Sequence, residues 1–160
     1  VPVKLRKVQP VPRDESGKPI VPFKSGIITV HQLGEVVYDR KNFHSERYIY
    51  PVGYVSSRNY ASMVSPTKST RYVCSILDSG ADGPRFQIVP DDAPQNIITA
   101  QSATGAWTAV LKGANAVRNR ENSASASGPE YFGFSHPTVQ SLIQELPGVE
   151  RCANYVRQEY

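Results

Sequence analysis

Cysteine and histidine are scarce in this chain of 160 residues, which contains two of the first and three of the second. Cys74 and Cys152 stand far apart and form no CxxC pair, so we expect buried, reduced thiols rather than zinc ligands. His31, His44 and His136 are scattered and match neither HxxxH nor HExxH spacing. The sequence therefore predicts no metal site.

Signatures of catalysis and of membrane insertion are also missing. There is no GxSxG elbow, and the glycine-bearing loop at residues 79–83 contains an acid and precedes a strand-like run, unlike a phosphate-binding loop. No apolar run approaches the roughly 18 residues that a membrane-spanning helix requires. We expect no catalytic residue, no cofactor and no membrane contact. An enzyme would require a spatial arrangement that the sequence does not show, such as Cys74 or a serine beside a histidine like His44, or paired carboxylates in a cleft.

Excess positive charge is absent from most of the chain. The formal charge of +4 lies entirely in residues 1–24, which hold six basic and two acidic side chains, whereas residues 25–160 hold twelve of each. A nucleic-acid-binding domain usually carries a basic field on its folded face. We therefore interpret residues 1–24 as a basic, Pro/Val-rich arm or linker, and we expect nucleic acid, if bound at all, to contact that arm.

The rest of the chain contains strand-like runs followed by helical patterns. Short β-rich runs, closely connected and hence expected to pair antiparallel, cover residues 26–32, 34–38, 47–56, 71–77 and 84–90. An amphipathic helix is predicted over 102–119, where Trp107, Val110 and Leu111 begin an apolar stripe, and a second helix after Ser135 with Pro137 in its first turn. This order predicts an α+β fold: one module with an antiparallel sheet of about six strands and at least two helices packed on it.

An aromatic segment, FHSERYIYPVGYVSSRNY at residues 43–60, is open to three interpretations. Its tyrosines could form a core face, line a peptide-binding groove or stack on bases. Pro51 and Gly53 indicate a bend, and the helices need a sheet face to cover, which favours packing. His44, Arg47 and Arg58 are the residues of this segment that we expect to face outward, as a candidate interaction surface.

Several motifs resemble those of the FYRN/FYRC (FYR) domain family. FHSE (43–46), IYPVGY (49–54), Arg58 and YVCSI (72–76) are similar to FYRN, and GAW (105–107) with SGPEYFGF (127–134) is similar to FYRC. The resemblance implies that residues 25–160 form one unit, with 25–84 as the FYRN half and 85–160 as the FYRC half. It also implies a structural seam between the halves, consisting of Phe43, Tyr48, Tyr50, Pro51, Gly53, Tyr54, Trp107, Tyr131, Phe132, Gly133 and Phe134.

The resemblance further implies a nuclear, chromatin-linked protein whose FYR module binds other nuclear proteins and is not catalytic. Regulation of cell growth and of the cell cycle, including tumour suppression, is expected on the same ground. Two alternatives stay open. The basic arm could bind nucleic acid, in which case binding would weaken steeply with salt. An exposed aromatic pocket could instead read a histone tail.

Overall fold

Among the residues that the structure describes, six strands form one antiparallel sheet in which each strand pairs with its neighbour along the chain. The structure is a computed structural model and describes residues 11–80, 83–119, 128–152 and 155–156. The strands are β1 Phe23–Ser25, β2 Ile28–Gln32, β3 Val55–Ala61, β4 Ser69–Asp78, β5 Pro84–Pro90 and β6 Ile98–Ala100. The short connections allow this meander, as the sequence predicts.

Alternation along the central strands separates the two faces of the sheet. In β4, Tyr72, Cys74 and Ile76 are fully buried, whereas their neighbours Val73 and Ser75 remain partly exposed. Strand β5 repeats the pattern, and its register aligns the buried side chains of the two strands. One face therefore builds the core and the other stays open to solvent, which is usual for an antiparallel sheet.

Three helices, counted within the described residues, contribute the opposing layer: α1 Ala103–Val117, α2 Gly128–Phe132 and α3 Pro137–Gln144. The Ser102 hydroxyl caps α1 by accepting from the Gly105 amide, 3.0 Å away. Helix α1 contacts β5 and β6, and α3 buries its apolar residues in the same core. The predicted α+β architecture and both predicted helices are confirmed, except that His136 rather than Ser135 precedes α3 and makes no side-chain cap.

The structure differs from the sequence prediction in the strands outside the centre of the sheet. The predicted strand at 34–38 contributes only a single bridge, Glu35 to Val52, and regular pairing within the aromatic segment begins at Val55. Proline cannot donate to a ladder, and Gly53 adopts a φ of +87°, so the chain around Pro51 bends instead of pairing. Strands β1 and β6 have three residues each, too few to show a period in the sequence.

Residues 11–22 lie before the sheet and contact the helical layer. The guanidinium of Arg13 donates two hydrogen bonds of 2.8 Å to the carboxylate of Glu145, at the end of α3. The proposed boundary between residues 24 and 25 stays a prediction, and β1 begins at Phe23, two positions before it. The basic cluster from Lys4 to Lys7 lies outside the described residues.

Candidate functional site: the aromatic seam and the open face of the sheet

Phe134 lies at the centre of an aromatic cluster that joins the two halves of the chain. The rings of Tyr48 and Tyr50 approach it edge-on with centroids 5.5 Å away, and that of Tyr54 lies at 6.1 Å. Phe132 and Phe86 complete the cluster, with centroids 5.4 Å apart. Edge-to-face pairs of this kind add to the free energy gained by burial. The ring contacts therefore run between the aromatic segment and the residues around Phe134.

A buried pair of hydrogen bonds joins the halves at a single carbonyl. The hydroxyl of Tyr54 donates to the Phe132 carbonyl oxygen at 2.9 Å, and the Ser56 hydroxyl donates to the same oxygen at 2.5 Å. Both donors are fully buried, and burial raises the pKa of the Tyr54 phenol well above its ordinary range. The hydroxyl is thus held as a neutral donor, because ionisation would leave a buried charge.

Gly133 allows this approach because no side chain fits at its position. Its φ is +98°, and a Cβ there would lie 2.8 Å from Ile28 Cγ2 and 3.1 Å from the Tyr54 hydroxyl oxygen. A left-handed backbone favours glycine, and the space is already filled by the two neighbours. Gly133 is therefore a structural requirement of the contact between Phe132 and Tyr54.

Trp107 on α1 forms a second cluster, next to the first. Its ring centroid lies 5.1 Å from Tyr131, 5.5 Å from Tyr72 and 5.8 Å from Tyr60. Cys74 lies beneath the Trp107 ring, and burial raises the pKa of its thiol to about 12. Hydrogen bonding from Trp107 lowers that pKa, but it offsets the effect of burial only in part. Within the described residues the indole Nε1 makes no hydrogen bond of full geometry, so its interaction with the sulfur is weak. The thiol stays protonated and is unsuited to nucleophilic attack.

Arg58 fills the space that a histone reader would leave for its ligand. Its guanidinium carbon lies 4.4 Å from the ring centroid of Tyr131, 5.5 Å from that of Trp107 and 5.7 Å from that of Tyr60. The side chain of Arg58 is half-buried in this stack instead of facing freely outward. This aromatic pocket is therefore occupied by the chain's own arginine, held by cation–π contacts.

The other predicted surface residues divide between interior and exterior. His44 was expected to face outward, but it is only 6% exposed, because it bridges to Ile49 in an irregular turn to which strand alternation does not apply. Arg47 is exposed, and its backbone carbonyl accepts from Gln140 Nε2 at 2.7 Å. The role of His44, Arg47 and Arg58 in binding stays a prediction.

Three residues assigned to the seam form their hydrogen bonds within the first half. The Phe43 carbonyl accepts from the Tyr50 amide, the Pro51 carbonyl from the Tyr54 amide, and the Gly53 amide donates to Ile76 at 2.8 Å. Phe43 and Pro51 are buried. These hydrogen bonds hold the aromatic segment to itself and to β4 within the first half, whereas the buried hydroxyls of Tyr54 and Ser56 donate across to Phe132.

The face of the sheet turned away from the helices is a surface that the sequence analysis did not identify. We name it the outer face and define it by the outward positions of the six strands. These positions are Lys24, Thr29, His31, Val55, Ser57, Asn59, Ala61, Ser69, Arg71, Val73, Ser75, Leu77, Arg85, Gln87, Val89 and Thr99. None of them is acidic. The alternation of buried and exposed residues in β4 and β5 is the signal from which the central positions of this face could have been predicted.

Two cavities lie away from the outer face. One of about 370 Å³ lies at the seam, where Tyr50, Phe86 and Phe134 meet uncharged polar residues such as Ser102 at the start of α1. A more apolar groove of about 620 Å³ separates residues 16–21 from the end of α3. Within the described ranges, no three His, Cys, Asp or Glu side chains are placed to share a metal ion, and no helix is long and apolar enough to span a membrane.

Comparisons with known proteins agree with the geometry of two joined halves. The family model FYRN, F/Y-rich N-terminus, matches residues 20–79, and FYRC, F/Y rich C-terminus, matches residues 83–160. Human transforming growth factor beta regulator 1 is 44% identical over 149 residues, which cover 92% of this chain and 36% of that protein. The mouse protein of the same name is also 44% identical, again with 36% of its length covered.

More distant relatives include histone-lysine N-methyltransferases. The protein trr of Drosophila melanogaster is 29% identical over 140 residues, covering 81% of this chain but 6% of that protein. The chain therefore spans about a third of the transforming growth factor beta regulators that it matches, and a small part of the methyltransferase. What is shared is the module itself.

Proposed function

The chain belongs to the FYRN/FYRC family, and on that premise we propose that it is a noncatalytic protein-binding module of a nuclear, chromatin-linked regulator of cell growth and the cell cycle. Its partners are nuclear proteins, which it contacts through the outer face of the sheet. Tumour suppression would follow from such a role in restraining growth.

The open outer face is the observation that supports this proposal most strongly. Val73 and Val89 are paired across β4 and β5 at the centre of this face, and both remain partly exposed. Hydroxyl and amide side chains surround them, and Lys24, Arg71 and Arg85 supply the formal charge. Interfaces between proteins combine partly apolar centres with polar, hydrogen-bonding margins in this way.

The chemistry of the inner face supports a noncatalytic role. Cys74 lies beneath Trp107 as a protonated thiol, and the Tyr54 hydroxyl is already committed to the Phe132 carbonyl. The match to trr covers 6% of that protein, so the methyltransferase name carries no argument for methyl transfer by this chain. Binding is the activity for which exposed groups remain.

The names of the relatives support the proposed location and process. A histone-lysine N-methyltransferase acts, by its name, on histones, which places such relatives in the nucleus with chromatin. Transforming growth factor beta regulator 1 carries growth-factor regulation in its name. The chain covers 36% of that protein, so these roles are carried to this chain as part of the proposal.

A pull-down from nuclear extract tests the proposal with a matched pair of variants. Val73→Glu places a carboxylate at the centre of the outer face, and Ala109→Glu places one at an exposed position of α1. We expect wild type and Ala109→Glu to retain the same proteins, and Val73→Glu to lose them severalfold, with circular dichroism confirming that all three are folded.

The same extract separates protein binding from the alternatives. Nuclease treatment should leave the retained proteins unchanged, whereas their loss would indicate that nucleic acid bridges them to the basic arm. Equal retention by Val73→Glu and wild type would contradict binding through the outer face. Retention of histone peptides alone, abolished by changes at Tyr131, would favour the reader instead.

A further inference from the structure

A cavity of about 270 Å³ opens on the outer face, near its β1 edge. Basic and polar side chains of four neighbouring strands line it, namely Lys24, Thr29, His31, Ser57, Asn59 and Arg71, and the β1–β2 turn adds Gly26 and the exposed Ile27. The Arg58 position also borders it, but the Arg58 guanidinium is stacked on Tyr131 toward the helices. None of the described lining residues is acidic.

The strand register explains why these residues meet. Lys24 is directly opposite Thr29, and Thr29 is directly opposite Ser57, so the three form one row across β1, β2 and β3. Asn59 is opposite Arg71 in the next row. With strands about 4.8 Å apart, the long side chains of Lys24 and Arg71 approach the same patch from opposite sides.

The cations at this cavity are incompletely neutralised. Lys24 has no hydrogen-bond or ion-pair partner within the described part of the chain. Arg71 donates from Nε to the carboxylate of Asp91 at 2.7 Å, and both side chains are about half exposed. This ion pair leaves the terminal nitrogens of the Arg71 guanidinium available. At the floor of the cavity, His31 Nε2 and the Ser57 hydroxyl lie 2.8 Å apart and supply further groups that form hydrogen bonds. The cavity therefore offers donors to an anion.

We propose that this cavity binds the phosphate group of a phosphorylated serine or threonine in a partner protein. The inference rests on the proposed function and specifies the chemistry of the partner. A phosphomonoester carries between one and a half and two negative charges and three strong acceptor oxygens, which match an ammonium, a guanidinium fork and neighbouring hydroxyl and amide donors. A single carboxylate would use fewer of them.

A nucleic acid fits this surface less well than a phosphopeptide. A nucleic-acid backbone needs a track of cations that follows successive phosphates. Here Lys24 and Arg71 converge on one cavity, and the remaining formal cation of the outer face, Arg85, does not line it. The arrangement therefore suits one isolated anionic group on a chain that otherwise contacts neutral residues.

Nuclear magnetic resonance titration of the whole chain tests the proposal. The probes are three capped peptides of identical sequence with phosphoserine, glutamate or serine at the central position, together with a single-stranded oligonucleotide. We expect saturable binding of the phosphoserine peptide, with the largest amide shifts at Thr29, Ser57 and Arg71. The glutamate and serine peptides and the oligonucleotide should bind at least tenfold more weakly.

Charge-neutral variants identify the residues responsible. Lys24→Gln and Arg71→Gln should each weaken binding of the phosphoserine peptide roughly tenfold, the effect of losing one charge-assisted hydrogen bond. Arg85→Gln is the matched control, because Arg85 lies on the same face outside the cavity, and its affinity should stay within about twofold of wild type. All three positions accept glutamine without changing the core.

Four results would overturn the proposal: no binding of the phosphoserine peptide, equal binding of the glutamate peptide, tighter binding of the oligonucleotide, or equal loss in Arg85→Gln. None of these would by itself overturn protein binding by the outer face. That proposal fails when Val73→Glu retains the nuclear partners, so the two failures are distinguishable.

Discussion

The inner and outer faces of the sheet are made by alternate residues of the same strands, but the inner face is buried against the helices and the outer face is accessible to solvent. On β4, Tyr72, Cys74 and Ile76 point to the helices and are fully buried, while Arg71 and Val73 point away and remain accessible. The inner groups pack against one another through ring contacts and buried hydrogen bonds. The outer groups retain donors and apolar surface. This difference between the faces distinguishes the residues that stabilise the fold from those that remain accessible to a binding partner.

Removing Trp107 should have the largest effect on the inner face. The side chain is fully buried and contacts three other rings, so Trp107→Ala should lower the free energy of unfolding by about 3–5 kcal/mol. Lys112→Ala, at an exposed position of the same helix, should change it by less than about 0.5 kcal/mol. Urea denaturation measures both, and similar losses would contradict the assignment of Trp107 to the core beneath the inner face.

Alkaline pH should destabilise the inner face through its buried thiol. The folded protein keeps the Cys74 proton until its pKa of about 12, whereas the unfolded chain releases it near 9.0, its ordinary pKa. The unfolded state thus loses a proton first, so the free energy of unfolding should fall as pH rises from about 9 to 12. The loss is about 1.4 kcal/mol per pH unit.

Cys74→Ala is the control for this titration. Tyr72, whose pKa burial raises to about 12, and Tyr54 act in the same direction and remain in the variant. The variant should therefore show a shallower decline in the free energy of unfolding over this pH range. An unchanged slope would mean that the thiol ionises as easily in the folded protein as in the unfolded chain.

The hydrogen bonds at the Phe132 carbonyl provide a smaller and more specific test. Tyr54→Phe and Ser56→Ala each leave one donor to that oxygen, so each should cost about 1 kcal/mol of unfolding free energy. The double variant leaves a buried carbonyl without either donor and should cost more than the sum of the singles, by about 1 kcal/mol. Strict additivity would show that the two bonds act independently.

The smallest effect is expected from a polar change on the outer face. Gln87→Ala should alter the free energy of unfolding by less than about 0.5 kcal/mol. Its neighbour Ile88 is fully buried, and Ile88→Ala should cost about 2–5 kcal/mol. These adjacent positions of β5 differ only in the face that they occupy. A large cost at Gln87 would show that a folded part of the chain already covers the outer face.

The sequence predicts the parts of this fold that have a clear period. Trp107, Val110 and Leu111 identify α1, and the alternation in residues 71–77 and 84–90 identifies the central strands. Strands of three residues have no detectable period, so β1 and β6 were missed. In the aromatic segment, Pro51 and Gly53 interrupt regular pairing. His44, which was expected to face outward, is buried in a turn bridged to Ile49, and no period in the sequence marks that turn.

The candidate surface could be predicted less completely than the fold. Arg58 belongs to a motif of the family, but its stacking on Tyr131 depends on a contact across 73 positions of sequence. Lys24, Ser57 and Arg71 lie on three different strands, and only the register brings them together. Neutral net charge in residues 25–160 also concealed this surface, because a sum over the sequence does not show on which face each charge lies.

Thiol labelling of neighbouring positions on β4 tests the separation of the two faces most directly. The variant combines Val73→Cys with Cys152→Ser, so that one introduced thiol points outward beside the native, inward-facing Cys74. At about pH 8, the account predicts rapid modification at position 73, protection of that thiol by a bound partner, and modification of Cys74 only as the protein unfolds. Modification of both thiols at the same rate in the folded protein would contradict it.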